Sequence, residues 1–242
     1  MNKMIESATD GGLAARAAIR LRDMIVVGEF KPGEPLREEL LASELGVSRN
    51  TLRESLRLLA VEGLAVHRQY KGASIPMIGT DDLHDIFQAR HVLENAAIYG
   101  SWSASELQLR NIDTAVVASE TALKAHDYSA AGTGSLRFHQ AIVALLGCTK
   151  LNSLFQVIAA QLRLVFLEIG ENGDYHKPWV QRERNIWTHM VAGKRIEACK
   201  EMKDYLNEAE KLLLDALNQK RAKKIPHSMS RKIASNGRRM PA

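Results

Sequence analysis

The chain has 242 residues, of which 45% are hydrophobic and 25% are charged, with a formal net charge of +5. This length allows one large domain or two modest ones that fold without disulfides or metals. The N-terminal residues lack the apolar core of a signal peptide, and no apolar run approaches the roughly 18 residues of a membrane span. The cysteines Cys148 and Cys199 form no pairing motif. We therefore expect a two-domain, soluble, cytoplasmic protein without membrane contact.

The positive charge is unevenly distributed. The last 23 residues, 220–242, contain eight Lys/Arg and no acidic residue, which leaves 25 basic against 28 acidic residues elsewhere. Within 47–71, however, five basic residues stand against two acidic ones. A basic segment of this kind is a candidate for binding nucleic acid.

Three helices are predicted in the first third of the chain. Apolar residues at helical spacing predict the first over 12–28, where Gly28 and the turn "KPGEP" end it. A short second helix over 37–45 precedes Gly46, which suits a helix terminus followed by a tight turn. Ser48 then caps a third helix.

A hairpin follows the third helix. The stretch "AVHRQYKGASIPM" places strand formers on both sides of a tip at 70–72. Helix, helix, turn, helix and hairpin is the order of a winged helix-turn-helix domain. We assign this fold to 12–78, after a flexible N-terminal segment at 1–11.

Three arginines of the third helix, Arg49, Arg53 and Arg57, are spaced four residues apart and lie outside the arc of its leucines. Such a stripe is most often a solvated helix face. Here the stripe starts at the N-terminus of a helix that follows a short helix and a glycine turn. In a helix-turn-helix domain, the N-terminal residues of the recognition helix contact base edges. Arg49 and Arg53 can donate forked hydrogen bonds to guanine or phosphate. Lys71, beside Gly72, can enter the minor groove or contact the DNA backbone.

The stretch "GEPLREELLASELGVSRNTLRESLRLLAVEGL" resembles the DNA-binding domain of GntR-type bacterial transcription regulators, over about 13–78. The resemblance implies that Arg49 and Arg53 contact DNA with support from neighbouring residues. Some members carry an arginine where this chain has Glu39, and Arg37 is a partial substitute for that contact. The expected DNA-binding residues are Arg37, Ser48, Arg49, Asn50, Thr51, Arg53, Lys71 and Gly72.

Helical periodicity continues through 79–219 without a strand-like block, which predicts an all-α bundle. The predicted helices cover 81–100, 103–125, 129–146, 150–169, 177–192 and 195–218. Several of them place polar residues on apolar faces, namely Arg90, Glu94, His139, Glu183 and Tyr205. One such residue alone is usually a satisfied core polar group, but several helices that each contribute one predict a shared pocket.

The same region resembles the FCD effector domain, which implies the FadR subfamily. The resemblance lies in "IFQARHVLENAA", "SLRFHQAI" and "RERNIWTHMVAGKRIEACKEMKDYL". Many such domains bind a divalent metal through one aspartate and three histidines. The matching positions here are Ser135, His139, Glu183 and Tyr205, so three of the four differ.

Serine and tyrosine hydroxyls are poor metal ligands at neutral pH. We therefore expect no metal and no cofactor, and instead direct binding of an effector by Arg90, Ser135, His139, Glu183 and Tyr205. Arg90 can pair with a carboxylate or phosphate, and the expected ligand is a carboxylate, a sugar acid or an acyl-CoA compound.

The segment 220–242 is basic, contains two prolines and lacks apolar periodicity, so a disordered tail is expected. An alternative is that this tail adds non-specific affinity for phosphates.

Three functions were weighed. The sequence favours a ligand-responsive repressor that binds a pseudo-palindromic operator as a homodimer. An enzyme that uses His139 and Glu183 lacks a nucleophile motif, a phosphate loop and a complete metal set. A constitutive architectural DNA-binding protein, whose helical domain only dimerises, is the remaining alternative.

Overall fold

The computed structural model describes residues 2–68, 72–170 and 173–224, with side chains described for 12–67, 72–170 and 175–223. These ranges contain helices and one hairpin, as the sequence predicts. The elements are α1 (Asn2–Val27), α2 (Glu38–Leu45), α3 (Arg49–Val61), β1 (Val66–Arg68), β2 (Gly72–Ser74), α4 (Thr80–Tyr99), a 3-10 turn (Ser101–Ser103), α5 (Glu106–Lys124), α6 (Tyr128–Ala144), α7 (Thr149–Ile169), α8 (Gly173–Val191) and α9 (Arg195–Lys224).

The N-terminal elements form the expected winged helix-turn-helix. Leucines of α3 such as Leu52 and Leu56 are at most 1% exposed and pack in one core with Leu21 of α1. Each such buried side chain contributes about 1.5–3 kcal/mol of hydrophobic free energy. Gly46 ends α2 in the left-handed region, with φ of 66°, which makes the sharp turn into α3 possible.

The wing is a short antiparallel hairpin. Val66 pairs with Ser74 and Arg68 with Gly72. The segment before α2 extends this sheet, because the Leu36 N–H donates to the Ala73 carbonyl over 2.8 Å. The wing is thereby fixed to the start of the helix-turn-helix.

Two helices extend beyond the ends predicted from the sequence. The first helix begins at Asn2, so the segment 1–11 expected to be flexible is helical from residue 2 onward. The last helix continues to Lys224, five residues into the expected disordered tail. Arg221 explains the second difference, because Glu168 of α7 accepts two hydrogen bonds from its guanidinium, each of 3.1 Å. The rest of the tail, 225–242, lies outside the described residues.

The helices from α4 to α9 form the expected all-α domain. Within it, α4 and α9 run antiparallel. His84 lies 2.7 Å from the Glu210 carboxylate, and Cys199 of α9 contacts the carbonyl of Asn95 nearer the C-terminus of α4. The end of α4 therefore lies beside the start of α9.

Among the described helices, α7 alone is long and apolar enough to cross a membrane, with a mean hydropathy of 1.2. The core helix of a soluble protein meets the same criterion. Here α7 carries the buried charged residues Arg163 and Glu168, and its Phe155 and Leu162 belong to the hydrophobic core. Its apolarity therefore reflects packing inside the domain.

The same helix joins the two domains. The Gln161 amide donates to the Glu62 carbonyl at the end of α3 over 3.0 Å. The Arg163 guanidinium lies against Gly28, just after α1, so closely that a Cβ there would come within 2.5 Å of Nη2. Gly28 also has φ of 86°, so a side chain at this position would strain the backbone and would have to displace the Arg163 guanidinium.

Candidate DNA-binding and effector sites

The start of α3 is fixed by a local cap. The Ser48 hydroxyl accepts a hydrogen bond from the Thr51 N–H over 3.0 Å, as an N-cap residue does. Thr51 is only 2% exposed, and its hydroxyl lies 2.8 Å from that of Ser48. Ser48 and Thr51 therefore shape the helix terminus, whereas Asn50 between them is exposed.

The arginine stripe of α3 is exposed, as predicted, but each arginine is paired. Arg49 pairs with Glu39, and Arg53 Nε lies 2.8 Å from Glu38 Oε2. Both acidic residues lie on α2, whereas Arg57 forms its pair within α3. Exposed pairs of this kind are worth about 0.2–1 kcal/mol each, so phosphates or bases can replace the carboxylates. The sequence analysis did not predict these pairs.

The remaining expected DNA contacts surround α3. Arg37 is exposed and occupies the N-cap position of α2. Gly72 is exposed in the wing with φ of 75°, opposite Arg68. Lys71 lies outside the described residues.

A cluster of six polar side chains lies inside the helical domain, none of them more than 4% exposed. It includes all five expected effector-binding residues. The members are Arg90 and Glu94 from α4, Ser135 and His139 from α6, Glu183 from α8 and Tyr205 from α9.

Glu94 connects the first half of this cluster. Its Oε1 accepts from Arg90 Nε over 2.7 Å, and its Oε2 lies 2.6 Å from His139 Nδ1. Burial raises the pKa of Glu94, but the Arg90 charge and the hydrogen bonds from His139 and Arg90 outweigh it and hold that pKa below its usual value. Burial also lowers the pKa of His139, which the Glu94 carboxylate offsets only in part. The arrangement fits a neutral imidazole that donates from Nδ1 to an ionised Glu94.

Glu183 connects the second half. Its Oε1 accepts from the Ser135 hydroxyl over 2.5 Å and from the Tyr205 hydroxyl over 3.2 Å. His139 Nε2 lies 3.9 Å from the same oxygen. Burial raises the pKa of Glu183 to about 7, against the lowering effect of the two hydrogen bonds. This carboxyl group therefore changes its charge near neutral pH.

The four positions that match metal ligands in related domains thus lie together and hydrogen-bond to one another or to Glu94. Across the described residues, no group of three or more His, Cys, Asp or Glu side chains has an arrangement suited to a metal ion. Metal-free effector binding remains a prediction.

A small cavity adjoins this cluster. It has a volume of about 10 Å³, and Arg90, Ser135 and Tyr205 line it together with His176 and Trp179 of α8. A space of this size holds about one water molecule. Arg90 Nη2, His176 Nε2 and Trp179 Nε1 are buried and have no hydrogen-bond partner within the described parts of the chain. Buried polar nitrogens are rarely left unpaired, so this cavity is a candidate ligand site.

His176 and Trp179 were missed by the sequence analysis. They lie at i, i+3 and i+7 with Glu183 on the inward face of α8. Helical periodicity places Trp179 on this face within the predicted helix 177–192, and an earlier helix start would have added His176. Burial, and then the charge of Arg163, lowers the pKa of His176 to about 4. His176 is therefore neutral at physiological pH and can donate one hydrogen bond.

A winged helix-turn-helix domain joined to an α-helical domain with a buried polar site defines a DNA-binding regulator of two domains. The chain belongs to the GntR family of bacterial regulatory proteins, whose sequence model matches residues 13–75, and the FCD domain model matches residues 85–208. An FCD domain fits the FadR-type subfamily.

Relatives and solved structures agree with this assignment. The transcriptional repressor GlaR of Escherichia coli is 30% identical over 161 residues, which are 61% of this chain and 70% of that protein. The Uxu operon regulator of the same species is 25% identical over 222 residues, 82% of this chain and 85% of that protein. With other curated relatives the match is shorter: it spans about a third of the length of YdhC from Bacillus subtilis, with 40% identity over 79 residues.

The crystal structure of a GntR regulator from Rhodococcus sp. RHA1 superimposes with a TM-score of 0.76 at 29% identity, covering 84% of this chain and 98% of that one. McbR/YncC of Escherichia coli has the same fold, with a TM-score of 0.74 at 16% identity over 84% of this chain and 97% of that one.

Proposed function

We propose that this protein is a cytoplasmic, ligand-responsive repressor that binds a pseudo-palindromic operator as a homodimer. DNA-binding transcription regulation follows from the family. Control by a ligand is supported by the buried cavity, where three unpaired nitrogens from Arg90, His176 and Trp179 meet. No enzymatic activity is assigned, because His139 and Glu183 are both buried and already bound to neighbouring side chains.

In the DNA-binding domain, Arg49 and Arg53 read base edges from the N-terminal half of α3. Ser48 and Thr51 act indirectly, by holding the helix terminus. Flanking contacts come from Asn50, Arg37 and the wing residues Lys71 and Gly72. These contacts position the domain on the DNA more than they select a base sequence.

In the helical domain, the effector is a small anion. A carboxylate would accept charge-assisted hydrogen bonds from Arg90 Nη2 and further ones from the Trp179 and His176 N–H groups. Ser135, His139, Glu183 and Tyr205 contact its hydroxyl or amine groups. The cavity has room for only about one water molecule, so the helices around it must separate when a larger ligand binds. This favours small carboxylates and sugar acids over acyl-CoA compounds.

The need to separate the helices supplies a route to regulation. A ligand shifts a conformational equilibrium only by its difference in affinity between the two states. An anion that binds only when the cavity is open has a higher affinity for the open state, and it therefore shifts the equilibrium towards that state. If the protein were instead a constitutive architectural DNA-binding protein, no ligand would change its affinity for DNA.

A thermal-shift screen of small carboxylates, sugar acids and acyl-CoA compounds tests the proposal. A compound that stabilises the protein should also change its affinity for operator DNA, measured by fluorescence anisotropy. Trp179→Phe, which removes one N–H donor and keeps most of the ring, should weaken that compound's effect about tenfold, and Tyr205→Phe should do likewise. Both variants should keep operator affinity within about 1 kcal/mol of wild type, since neither residue touches DNA.

Trp102→Phe is the matched control, since Trp102 is 74% exposed outside the cavity. A stabilising compound that leaves DNA affinity unchanged would instead favour the architectural role.

A further inference from the structure

The wall of the cavity is rich in aromatic side chains. Five of the eleven described residues that line it are Phe, Tyr or Trp, whereas these residues make up 5% of the whole chain. They are Phe87, Phe166, Tyr175, Trp179 and Tyr205, and they come from α4, α7, α8 and α9. The few aromatic residues of this chain are therefore concentrated around one cavity.

These rings meet edge to face. The ring centroids of Trp179 and Tyr205 are 4.9 Å apart with planes at 67°, and those of Phe166 and Tyr175 are 5.6 Å apart at 60°. Aromatic rings attract each other in this arrangement beyond the effect of burying their area. A further ring that enters between them can make the same kind of contact.

The cavity also offers hydrogen-bond donors. Arg90 Nη2, His176 Nε2 and Trp179 Nε1 belong to residues that line it, and none of the three has a partner within the described parts of the chain. Arg90 brings a positive charge, and His176 and Trp179 can each donate an N–H. Together they match the oxygens of one carboxylate.

Two buried acceptors lie close behind the wall. Glu183 Oε2 and His139 Nε2 have no hydrogen-bond partner among the described residues, and His139 Nε2 lies 3.9 Å from the other Glu183 oxygen. The neutral His139 donates from Nδ1 to Glu94, so its Nε2 is an acceptor. Ser135 and Tyr205 line the cavity and both donate to Glu183, so one side chain separates these acceptors from the cavity. They match a hydroxyl or amine group of a ligand.

We infer that the ligand of this cavity is an aromatic carboxylate with one hydroxyl or amine group on its ring, of the hydroxybenzoate or aminobenzoate kind. Its carboxylate accepts from Arg90, His176 and Trp179, its ring lies among the aromatic side chains, and its hydroxyl or amine donates to Glu183 or His139. This ligand class deepens the proposed function and rests on it, because the cavity is the effector site there.

A sugar acid fits this wall less well. It carries several hydroxyl groups, whereas the described residues around the cavity provide two unpaired acceptors and five aromatic side chains. A hydroxyl that is buried against a ring without a hydrogen-bond partner loses its bonds to water and gains none in return. Each additional hydroxyl group therefore weakens binding.

The small volume of the cavity favours a planar ligand. The cavity has room for about one water molecule, so its walls must move apart for any larger ligand. A flat ring requires them to separate by about 3.5–4 Å, which is the contact distance between carbon atoms. A saturated, puckered ring is thicker and requires a larger movement. An aromatic acid therefore enters with the smallest disturbance of the helices.

A matched series of ligands tests this class. Isothermal titration calorimetry on the full chain would use the ortho, meta and para isomers of hydroxybenzoate and aminobenzoate. The isomer that binds most tightly should bind about tenfold or more tightly than its saturated cyclohexane analogue, its benzyl alcohol analogue and gluconate. The saturated analogue keeps the carboxylate and loses the flat ring, whereas the benzyl alcohol keeps the ring and loses the charge.

A change in the aromatic wall supplies the second measurement. Phe166→Leu keeps an apolar side chain and removes one ring from the wall, so it should weaken the aromatic acid by about two- to tenfold. It should also narrow the preference for that acid over its saturated analogue. Phe155→Leu is the matched control, because Phe155 is a core residue of the same helix, 1% exposed, and does not line the cavity. The thermal unfolding midpoint without ligand shows whether each variant is folded.

The outcomes separate the ligand class from the proposed function. Absence of binding by all of these aromatic acids, or equally tight binding of the saturated analogue, overturns the ligand class. Operator affinity is then measured by fluorescence anisotropy with each compound that binds. An aromatic acid that binds and leaves operator affinity unchanged contradicts the ligand response and leaves the ligand class standing. Gluconate that binds and changes operator affinity, where the aromatic acids fail, supports the proposed function and rejects the ligand class.

Discussion

Arg49 of the recognition helix pairs with Glu39 of the preceding helix. The resemblance to related regulators places an arginine of some members at the position of Glu39, so we expect Glu39 to compete with DNA for Arg49. Each arginine that reaches a phosphate or a base must first leave a carboxylate. We therefore expect the acidic residues of α2 to reduce affinity for all DNA and to leave relatively more of the binding free energy to the correct sequence.

Glu39→Gln should therefore raise affinity for a random-sequence duplex several-fold, since an exposed pair contributes about 0.2–1 kcal/mol. The affinity for a selected operator should rise by a smaller factor, so the ratio of operator affinity to random-duplex affinity should fall. Fluorescence anisotropy on both duplexes at the same salt concentration measures this. Glu44→Gln, on an exposed part of the same helix, is the control for charge alone. Equal gains from both variants would show that the Arg49 pair has no special role.

Arg49→Ala and Arg53→Ala should each cost about 1–3 kcal/mol on the operator if the two arginines read bases. Their effect on random-sequence DNA should be much smaller. Titrations over a range of salt concentrations distinguish the two roles, because loss of a phosphate contact weakens binding to every sequence and lowers the salt dependence. An equal loss of affinity for the operator and for random-sequence DNA would show that both arginines contact phosphates and not bases.

Arg90→Met should destabilise the helical domain by about 3–5 kcal/mol, because it leaves the buried Glu94 carboxylate without its cationic partner. The double variant Arg90→Met/Glu94→Met should recover much of that loss. Urea unfolding of the wild type, both single variants and the double variant completes the cycle. If the single-variant costs simply add, the two groups are not coupled as their 2.7 Å hydrogen bond indicates.

Glu183 should make stability depend on pH. Its pKa is raised to about 7 in the folded state from a usual 4.5, so its contribution is fully present below pH 4.5 and is lost as the pH rises towards 7. Glu183→Gln should therefore gain stability relative to wild type across this window, by up to about 3 kcal/mol, and the difference should level off above it. Urea unfolding at several pH values measures the difference, with the exposed Glu208→Gln as control. A difference that does not change with pH would show that Glu183 is ionised throughout.

Removal of metals should change neither the thermal stability of the protein nor its specific binding to DNA. Ser135 and Tyr205 stand at two positions where related domains have ligands, and both donate hydrogen bonds to Glu183 instead. The thermal unfolding midpoint and specific DNA binding should be the same before and after chelation. Elemental analysis that finds one tightly held transition metal per chain would contradict this.

The parts of the fold that depend on local chemistry were predictable from the sequence. Ser48 caps α3 as expected, because a cap involves only neighbours in the chain. The pairing of Arg53 with Glu38 was not predictable, because it depends on how two helices cross. Periodicity indicated that His139, Glu183 and Tyr205 face the interior, and they lie in one cluster.

The start of α8 was misjudged, and part of the cavity was missed as a result. The sequence-based prediction started this helix at 177. The helix begins at Gly173 with Pro178 inside it, which places His176 on its inward face. The predicted start at 177 thus left one of the three unpaired nitrogens, that of His176, outside the helix.

The last turns of α9 act on a part of the chain that is distant in sequence. Arg221 donates a 2.6 Å hydrogen bond to the carbonyl of Ile78, 143 residues away, in the short connection that leads into α4. The connection between the winged domain and the helical domain is therefore held in place by a residue near the C-terminal end of α9. A truncation ahead of Arg221, or a bulky tag fused there, would loosen the hinge between the two halves while leaving both of their sites chemically intact.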